Sequence, residues 1–290
     1  MVRALSAGTA AVVEVRRLAG GVDAATHAVR LDRGGWLVVK RAAPAHAKSL
    51  DGEFKRLEFA RRAPIATPDP IGLDADGSWF GHPALVMSFL PGRGTLPEES
   101  PSWIDNLAQA LAAVHSTRID GDVPAVLRAP HAGRVWEPAP ATELPRNRRV
   151  DALVEAGLSV RERPGDRTDA EVLLHHDFHH GNILWHGSRV TGVLDWNEAR
   201  LGPPDCDVAY CSVDIAMTHG LEAAERFIAA YTVVGARLAE LRRWQCLWTA
   251  NAMRWIKYWI TGFHEAGIEL SLPAVRRRLD AFADRLLGEL

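Results

Sequence analysis

The sequence predicts an α+β fold in which a small antiparallel β-sheet precedes a mainly helical region. Up to residue 91, short segments alternate apolar and polar side chains and are separated by glycine- or proline-containing turns, as is typical of strands. From residue 102 on, apolar side chains recur at helical spacing over longer segments. A polar cluster, HHDFHHGN at 175–182, interrupts the helical region and marks the candidate functional site.

Length and composition exclude several classes of protein. The chain has 290 residues, 47% of them hydrophobic, which is enough to fill the core of a two-lobed protein. The formal net charge is −2 and no block of lysine or arginine occurs, so we expect neither a nucleic-acid binder nor a membrane-surface binder. The three cysteines lack metal-type spacing, and no secretory signal or long apolar segment is present. These features predict a reduced, cytoplasmic chain whose partner is a small molecule.

The N-terminal third of the chain carries strand and hairpin signals. Residues 11–17 and 26–31 alternate apolar and polar side chains on either side of Gly20 and Gly21, which predicts a hairpin. A helix is predicted at 48–62, where it is followed closely by three prolines. The five predicted strands lie at 11–17, 26–31, 36–40, 71–74 and 84–89.

Five helices are predicted in the remainder, at 102–115, 150–156, 221–234, 242–263 and 272–287. On the fourth of these, five aromatic residues fall on one face at spacings of four, seven, four and four. Such a stripe is either core or a platform on which a cationic substrate meets indole faces, and the sequence leaves both open. The stripe consists of Trp244, Trp248, Trp255, Trp259 and Phe263.

The polar cluster precedes a second predicted hairpin, with strands at 183–185 and 190–194. Asp177 and Asn182 directly precede this hairpin and Asp195 directly follows it. Because the two ends of a hairpin lie side by side, the three side chains can converge. Asn182 and Asp195 offer oxygen ligands of the kind that suits Mg²⁺ bound together with substrate phosphates. Asp177 can then face a nucleophile.

These residues resemble the aminoglycoside phosphotransferase family, which has a protein-kinase-like fold. His175, Asp177 and Asn182 match the family's catalytic-loop pattern H-x-D-x-x-x-x-N, and Asp195 matches its metal-binding aspartate. The resemblance implies an enzyme that transfers the γ-phosphate of ATP, or of GTP, to an alcohol group of a small molecule. It also implies that Asp177 is the catalytic base and that Asn182 and Asp195 hold Mg²⁺.

Two lobes are implied as well: a nucleotide-binding lobe at 1–91, and a helical lobe at 92–290 with the catalytic loop and the acceptor site. Without the resemblance, Lys40 would be interpreted as a surface lysine at the end of a strand. The resemblance gives it the place of the lysine that contacts nucleotide phosphates. Glu53 takes the place of its helix partner in preference to Glu58, because it precedes the apolar positions of the predicted helix.

Further nucleotide contacts are implied on the N-terminal side. The turn after the first strand can bring backbone N–H groups against phosphates, although it does not spell the full G-x-G-x-x-G. The fifth strand leads into the segment whose backbone bonds the adenine edge in the family. The residues so implicated are Gly20, Gly21 and Thr26 for the phosphates, and Met87, Ser88, Phe89 and Leu90 for the base.

Other residues are expected to be structural. Asp207 matches the family aspartate that braces the catalytic loop by accepting backbone N–H bonds, and His115 matches a histidine that is more often structural than catalytic. His176 and His180 replace the glycine and proline that the family more often has at these positions. For these two and for His179, we expect hydrogen bonds to backbone carbonyls.

Two alternative functions remain open. The doublet His176-Asp177 is that of HD-type metal phosphohydrolases, and imidazoles suit zinc, iron or nickel better than magnesium. Gly181 and the neighbouring strand signals argue against the helix on which that doublet lies in those enzymes. A non-catalytic nucleotide-binding regulator is the second alternative, and the joint presence of Lys40 and the three polar residues of the loop argues against it.

The sequence does not identify the acceptor. An aminoglycoside requires an acidic pocket, whereas an amino alcohol, a sugar or another antibiotic fits about as well. The chain is expected to be a monomer or a homodimer. The acidic residues available to a cationic acceptor are Asp214, Glu222, Glu225, Glu265 and Glu269.

Overall fold

The computed structural model describes residues 10–18, 24–43, 47–94, 102–128, 147–159, 171–265 and 269–288. These residues form an N-terminal antiparallel sheet and a mainly helical C-terminal region, which confirms the predicted fold class. Across the described ranges, no helix has both the length and the apolar character needed to cross a membrane. The N-terminal elements are β1 (Val12–Arg17), β2 (Ala24–Leu31), β3 (Trp36–Ala42), α1 (Ala47–Ala60), β4 (Pro70–Asp74) and β5 (Ala84–Ser88).

The N-terminal sheet has the strand order β1-β2-β3-β5-β4, and every neighbouring pair is antiparallel. Lys40 lies on the central strand β3, opposite Thr26 of β2 and Leu85 of β5. Helix α1 covers one face of the sheet, where its Leu57 belongs to the same core cluster as Leu85 and Met87. An acidic residue on the sheet side of α1 can therefore reach Lys40.

The C-terminal region consists of eleven named elements in the described part of the chain. Strands β6 and β9 pair antiparallel with each other, as do β7 and β8, and these two short ribbons frame the polar cluster. The elements are α2 (Trp103–His115), α3 (Arg148–Ser159), β6 (Val172–Leu174), β7 (Ile183–His186), β8 (Arg189–Val193), β9 (Arg200–Gly202), α4 (Pro204–His219), α5 (Leu221–Val234), α6 (Leu241–Arg254), α7 (Ile256–Glu265) and α8 (Leu272–Gly288).

Helix α4 lies at the centre of the helical region. It is buried from Pro204 to Thr218 and packs against α5, α6 and α8. A helix enclosed on every side has no solvated face and hence no amphipathic spacing, which is why the sequence does not predict it.

The single helix predicted at 242–263 is wrong. The chain forms two helices, α6 and α7, and Trp255 between them has φ −105° and ψ 19°, outside the α-helical range. The aromatic stripe is broken there: Trp244 and Trp248 are buried, whereas Trp255 is 38% exposed. The five aromatic residues therefore do not lie on one face of a single helix.

Candidate active site

The candidate catalytic loop, residues 175–182, begins where β6 ends, and Asp207 of α4 holds its first turn. The Asp207 carboxylate accepts the backbone N–H groups of His175 at 2.7 Å and of His176 at 2.8 Å, as predicted for the bracing aspartate. The turn needs this support because His176 has φ 66°, a left-handed conformation that is unusual for a residue other than glycine. Burial raises the pKa of Asp207, but the hydrogen bond from His115 and the other nearby histidines, His175 and His176, together outweigh burial and hold the pKa below its usual value.

His175 joins the catalytic loop to the end of β8. Its Nε2 lies 2.7 Å from the Leu194 carbonyl, and its Nδ1 lies 3.3 Å from the backbone nitrogen of Asp177. A neutral imidazole satisfies both contacts when Nε2–H donates and Nδ1 accepts. The histidine of the motif therefore fixes the loop aspartate relative to the residue that precedes Asp195.

Asn182 orients Asp177. Its Nδ2 lies 2.9 Å from the Asp177 carbonyl and 3.0 Å from Asp177 Oδ2. Both of these atoms are acceptors, so the amide nitrogen must face Asp177 and the amide oxygen is left to bind a cation. The Asn182 backbone carbonyl accepts the N–H of Leu194 at 2.8 Å, which brings Asn182 beside the chain that leads into Asp195.

Asp195 follows β8 in a left-handed conformation, with φ 58° and ψ 68°. A non-glycine residue in this region is strained, and such strain is typical of functional sites. The Asp195 side chain accepts a hydrogen bond from Lys40 Nζ at 3.0 Å. Burial raises the pKa of Asp195, but the charge and the hydrogen bond of Lys40, together with the nearby His175 and His179, outweigh burial and hold the pKa below its usual value.

Lys40 also pairs with Glu53 of α1, at 2.9 Å. Glu53 is buried, whereas Glu58 on the same helix is exposed, so the structure agrees with the choice of Glu53 as the lysine's partner. Burial lowers the pKa of Lys40, but the two carboxylates outweigh it and raise the pKa above its usual value. The lysine is therefore a permanent cation between the sheet and the catalytic loop.

Helix α1 is tied to the segment that follows Asp195. Ser49 Oγ donates to Asn197 Oδ1 at 2.8 Å, and Arg56 Nε donates to the Ala199 carbonyl at 2.8 Å. These bonds hold α1, which carries Glu53, against the C-terminal region, which carries Asp195. The two carboxylates that contact Lys40 are therefore fixed relative to each other.

The predicted nucleotide-binding segments are described only in part. Gly20 and Gly21 lie outside the described residues, and their role remains a prediction. Thr26 lies beside Lys40 in the sheet, and its carbonyl accepts the N–H of Leu18 at 2.9 Å. Leu18 and Thr26, which flank the segment that is not described, are therefore bonded to each other next to the lysine.

The segment after β5 is fixed on two sides. Ser88 is bonded to Asp69 through its backbone N–H at 2.9 Å and through its hydroxyl at 2.8 Å. The Phe89 ring packs at 5.9 Å, centroid to centroid, against Trp36, and Met87 is buried in the core. Leu90 lies so close to Gly192 that a Cβ at Gly192 would come within 2.8 Å of Leu90 Cδ1. The contact of residues 87–90 with a nucleotide base remains a prediction.

Two residues of α4 that the sequence analysis did not assign to the catalytic centre contact the catalytic loop. Tyr210 Oη lies 2.5 Å from Asp177 Oδ1, and Asp214 Oδ2 lies 2.6 Å from His180 Nδ1. Together with Asp207 they form a polar stripe at spacings of three and four, which is one face of a helix. The spacing of these three residues indicates a shared helix face, but only once residues 204–219 are known to form a helix.

The expected bonds of the loop histidines to backbone carbonyls are wrong for two of the three. His180 bonds the Asp214 carboxylate, because both groups are buried and each satisfies the other. His179 Nδ1 accepts the N–H of Gly181 at 3.1 Å. Ligand atoms of His179, His180 and Asp214 lie within 4.8 Å of one another, but the His180–Asp214 hydrogen bond already accounts for two of these groups.

Comparisons with known proteins identify relatives of this chain. The model of the phosphotransferase enzyme family matches residues 14–244. The chain is 28% identical to acyl-CoA dehydrogenase family member 11 of Gallus gallus over 226 residues, which is 70% of this chain and 28% of that protein. The chain thus spans less than a third of the length of this relative.

Solved structures share the fold over almost the whole chain. Macrolide 2'-phosphotransferase type I superposes with a TM-score of 0.62 at 19% identity, covering 98% of this chain and 95% of that one. The amicoumacin kinase hAmiN, solved with AMP-PNP and Ca²⁺, superposes with a TM-score of 0.59 at 14% identity, covering 95% of this chain and 88% of that one.

Proposed function

Because the chain belongs to the phosphotransferase enzyme family, we propose that it transfers the γ-phosphoryl group of ATP, or of GTP, to a hydroxyl of a small molecule. The observation that carries this proposal is the contact of Lys40 with both Glu53 and Asp195. That contact places a permanent cation beside the aspartate that ends the hairpin, where nucleotide phosphates need it.

The proposed nucleotide site lies between residues 1–91 and residues 92–290. Lys40 contacts the phosphates there, and the turn at Gly20 and Gly21, with Thr26, covers them. Met87, Ser88, Phe89 and Leu90 line the base. The similarity to the amicoumacin kinase solved with AMP-PNP and Ca²⁺ supports a nucleotide bound with a divalent cation.

The donor set at the end of the hairpin fits Mg²⁺. The amide oxygen of Asn182 faces away from Asp177, and the Asp195 carboxylate has oxygen lone pairs besides the one bonded to Lys40. Two protein oxygens together with phosphate oxygens are the ligands that Mg²⁺ takes in kinase sites. When bound, Mg²⁺ would neutralise the charge of the transferred phosphoryl group.

Asp177 is the proposed catalytic base. The acceptor oxygen forms a bond to the γ-phosphorus, the bond to the β–γ bridging oxygen breaks, and ADP leaves with that electron pair. The hydroxyl proton passes to the Asp177 carboxylate, which Asn182 orients. Positioning and charge neutralisation, rather than a covalent intermediate, supply the catalysis.

The described contacts favour an acceptor with less positive charge than an aminoglycoside. Asp214, one of the candidate acidic residues, is buried and bonded to His180, and Glu225 is paired with Arg285. Near Asp177, the ring of Tyr210 packs against those of Trp248 and Trp259. The two paired carboxylates are not available to a polycation, and the rings can pack on an apolar part of the acceptor, so an amino alcohol, a sugar or an antibiotic with an apolar part suits these surroundings better.

Two observations argue against the alternative functions. The His176-Asp177 doublet lies on a loop in which His176 has φ 66°, not on a helix as in HD-type phosphohydrolases. A regulator without catalysis has no use for a loop aspartate that Asn182 orients, in a chain whose Lys40 also contacts Glu53 and Asp195.

The experiment is a screen of hydroxyl compounds for Mg²⁺-dependent ADP release, with the Asp177→Asn variant in parallel. We expect ADP release that depends on the acceptor, a loss of about a thousandfold or more in the variant, and unchanged ADP binding. Phosphate release without any nucleotide, together with a tightly bound transition metal, would support the phosphohydrolase instead.

A further inference from the structure

Tyr210 places a buried hydroxyl against the proposed catalytic base. Its Oη lies 2.5 Å from Asp177 Oδ1, while Asn182 Nδ2 lies 3.0 Å from Asp177 Oδ2. A carboxylate offers only acceptors, so the phenol donates. The two oxygens of Asp177 are thus held by two donors that come from different elements of the fold.

Tyr210 is itself held in place. It lies on α4, which is buried from Pro204 to Thr218. Its ring makes a T-shaped contact with that of Trp248 at 4.7 Å and lies 5.4 Å from the ring of Trp259, centroid to centroid. Because the Tyr210 hydroxyl is already held in place, it loses little entropy when it orients Asp177. Residues that pack behind a catalytic side chain commonly orient it in this way.

The phenol remains a donor over the working range of pH. Burial and the neighbouring Asp177 carboxylate raise the pKa of Tyr210 well above its usual value. Each carboxylate oxygen has a further lone pair, so an acceptor hydroxyl can still bond to Asp177 while Tyr210 and Asn182 hold it.

We propose that Tyr210 is a positioning residue for phosphoryl transfer, whose hydroxyl holds Asp177 in the orientation that meets the acceptor hydroxyl. The inference rests on the proposed function. It adds a residue that the catalytic-loop pattern does not contain, since Tyr210 lies 33 residues beyond Asp177 on a different element.

The test compares Tyr210→Phe with Ser212→Ala in the full chain, using the acceptor and nucleotide found active in the screen. Tyr210→Phe removes only the hydroxyl. Ser212 lies on the same helix, and its buried hydroxyl bonds the Ala209 carbonyl and Gln245, away from Asp177. The control therefore removes an equally buried hydroxyl from α4 without touching the proposed base.

For Tyr210→Phe we expect kcat to fall by about ten- to a hundredfold, the range that one hydrogen bond to a charged group supplies. We expect the KM for ATP and the Kd for ADP to stay within about twofold, because no nucleotide contact is lost. For Ser212→Ala we expect kcat to stay within about twofold of the wild type.

A kcat for Tyr210→Phe within about twofold of the wild type contradicts the inference, as does an equal loss in both variants, which would reflect general loosening of α4. If Tyr210→Phe does not fold, Trp248→Phe takes its place. That change replaces the indole that packs on Tyr210 with a smaller ring, so we expect kcat to fall as Tyr210 loosens, and an unchanged kcat contradicts the inference. If the wild type phosphorylates no acceptor, the proposed function itself fails.

Discussion

Lys40 and Asp195 lie 155 positions apart in the chain, yet Lys40 Nζ is 3.0 Å from Asp195 Oδ1. This ion pair joins the centre of the N-terminal sheet to the residue that follows the C-terminal hairpin. With Glu53 on the other side of the lysine, it makes a three-residue chain of alternating charge across the proposed nucleotide site.

Replacing Lys40 with Met should lower both activity and stability. The variant leaves Glu53 buried without its cation, which typically costs about 3 kcal/mol of the free energy of unfolding. It also removes the phosphate contact, so we expect kcat/KM for ATP to fall about a hundredfold or more. Steady-state kinetics and chemical unfolding measure the two effects.

Lys55→Met is the matched control for that change. Lys55 lies on α1, where it forms an exposed pair with Asp51. Exposed pairs contribute little, so we expect less than about 0.5 kcal/mol and no change in kcat/KM. Equal effects of the two lysine changes would contradict a special role for Lys40.

Asp195→Asn should impair the use of the metal. The amide keeps the shape of the side chain but offers Mg²⁺ a neutral oxygen in place of a carboxylate. We therefore expect the Mg²⁺ concentration for half-maximal activity to rise about tenfold and kcat to fall about a hundredfold. A Mg²⁺ titration that is the same as that of the wild type would show that Asp195 does not bind the ion.

Asp207→Asn should loosen the catalytic loop. The amide has one acceptor oxygen and is neutral, so of the N–H groups of His175 and His176 one loses its acceptor and the other keeps only an uncharged one, at a cost of about 2 kcal/mol in the free energy of unfolding. Asp120→Asn, at an exposed position, serves as control.

The stabilisation by Asp207 depends on pH in a defined direction. Burial raises the pKa of Asp207, but the hydrogen bond from His115 and the neighbouring histidines together outweigh burial and lower the pKa overall. The stabilisation is then fully present above the unfolded value of about 4 and is lost as the pH falls through the lowered value. The wild type and the variant should therefore converge in stability in acid, and a constant difference from pH 7 to acid unfolding would contradict this account.

His219 predicts a second pH dependence. Burial, with the nearby His180, lowers the pKa of His219 from its usual value of about 6.5 to about 4. The unfolded chain takes up this proton below about pH 6.5 while the folded chain does not, so stability falls as the pH drops towards 4. Because the ring is partly exposed, we expect the wild type to lose only about 1 kcal/mol more than His219→Gln between pH 7 and 4.5. Parallel unfolding curves for the two proteins would show that His219 does not contribute.

The sequence predicts local structure well where one face of an element is solvated. Helix α5 is found at the predicted bounds, and the strands of the N-terminal sheet agree to within two residues at each end. The same rule fails for α4, which is buried on all sides, and for the junction at Trp255, where the spacing of aromatic residues continues although the helix does not.

The candidate site likewise contains some residues that the sequence identifies and others that only the structure identifies. Asp177, Asn182 and Asp195 are recognisable because they lie close together in a motif, and Lys40 because the resemblance gives its place. Tyr210 and Asp214 contact the catalytic loop only through the packing of α4, and no spacing in the sequence relates them to residues 33 or 34 positions earlier.

The most direct test of the proposed function is the detection of the phosphorylated acceptor itself. Mass spectrometry of reactions with ATP, Mg²⁺ and the acceptor found by the screen should show one added phosphoryl group with the wild type and none with Asp177→Asn, while both proteins bind ADP equally. A phosphorylated product formed equally well by Asp177→Asn would contradict the central claim that this aspartate receives the proton of the attacking hydroxyl.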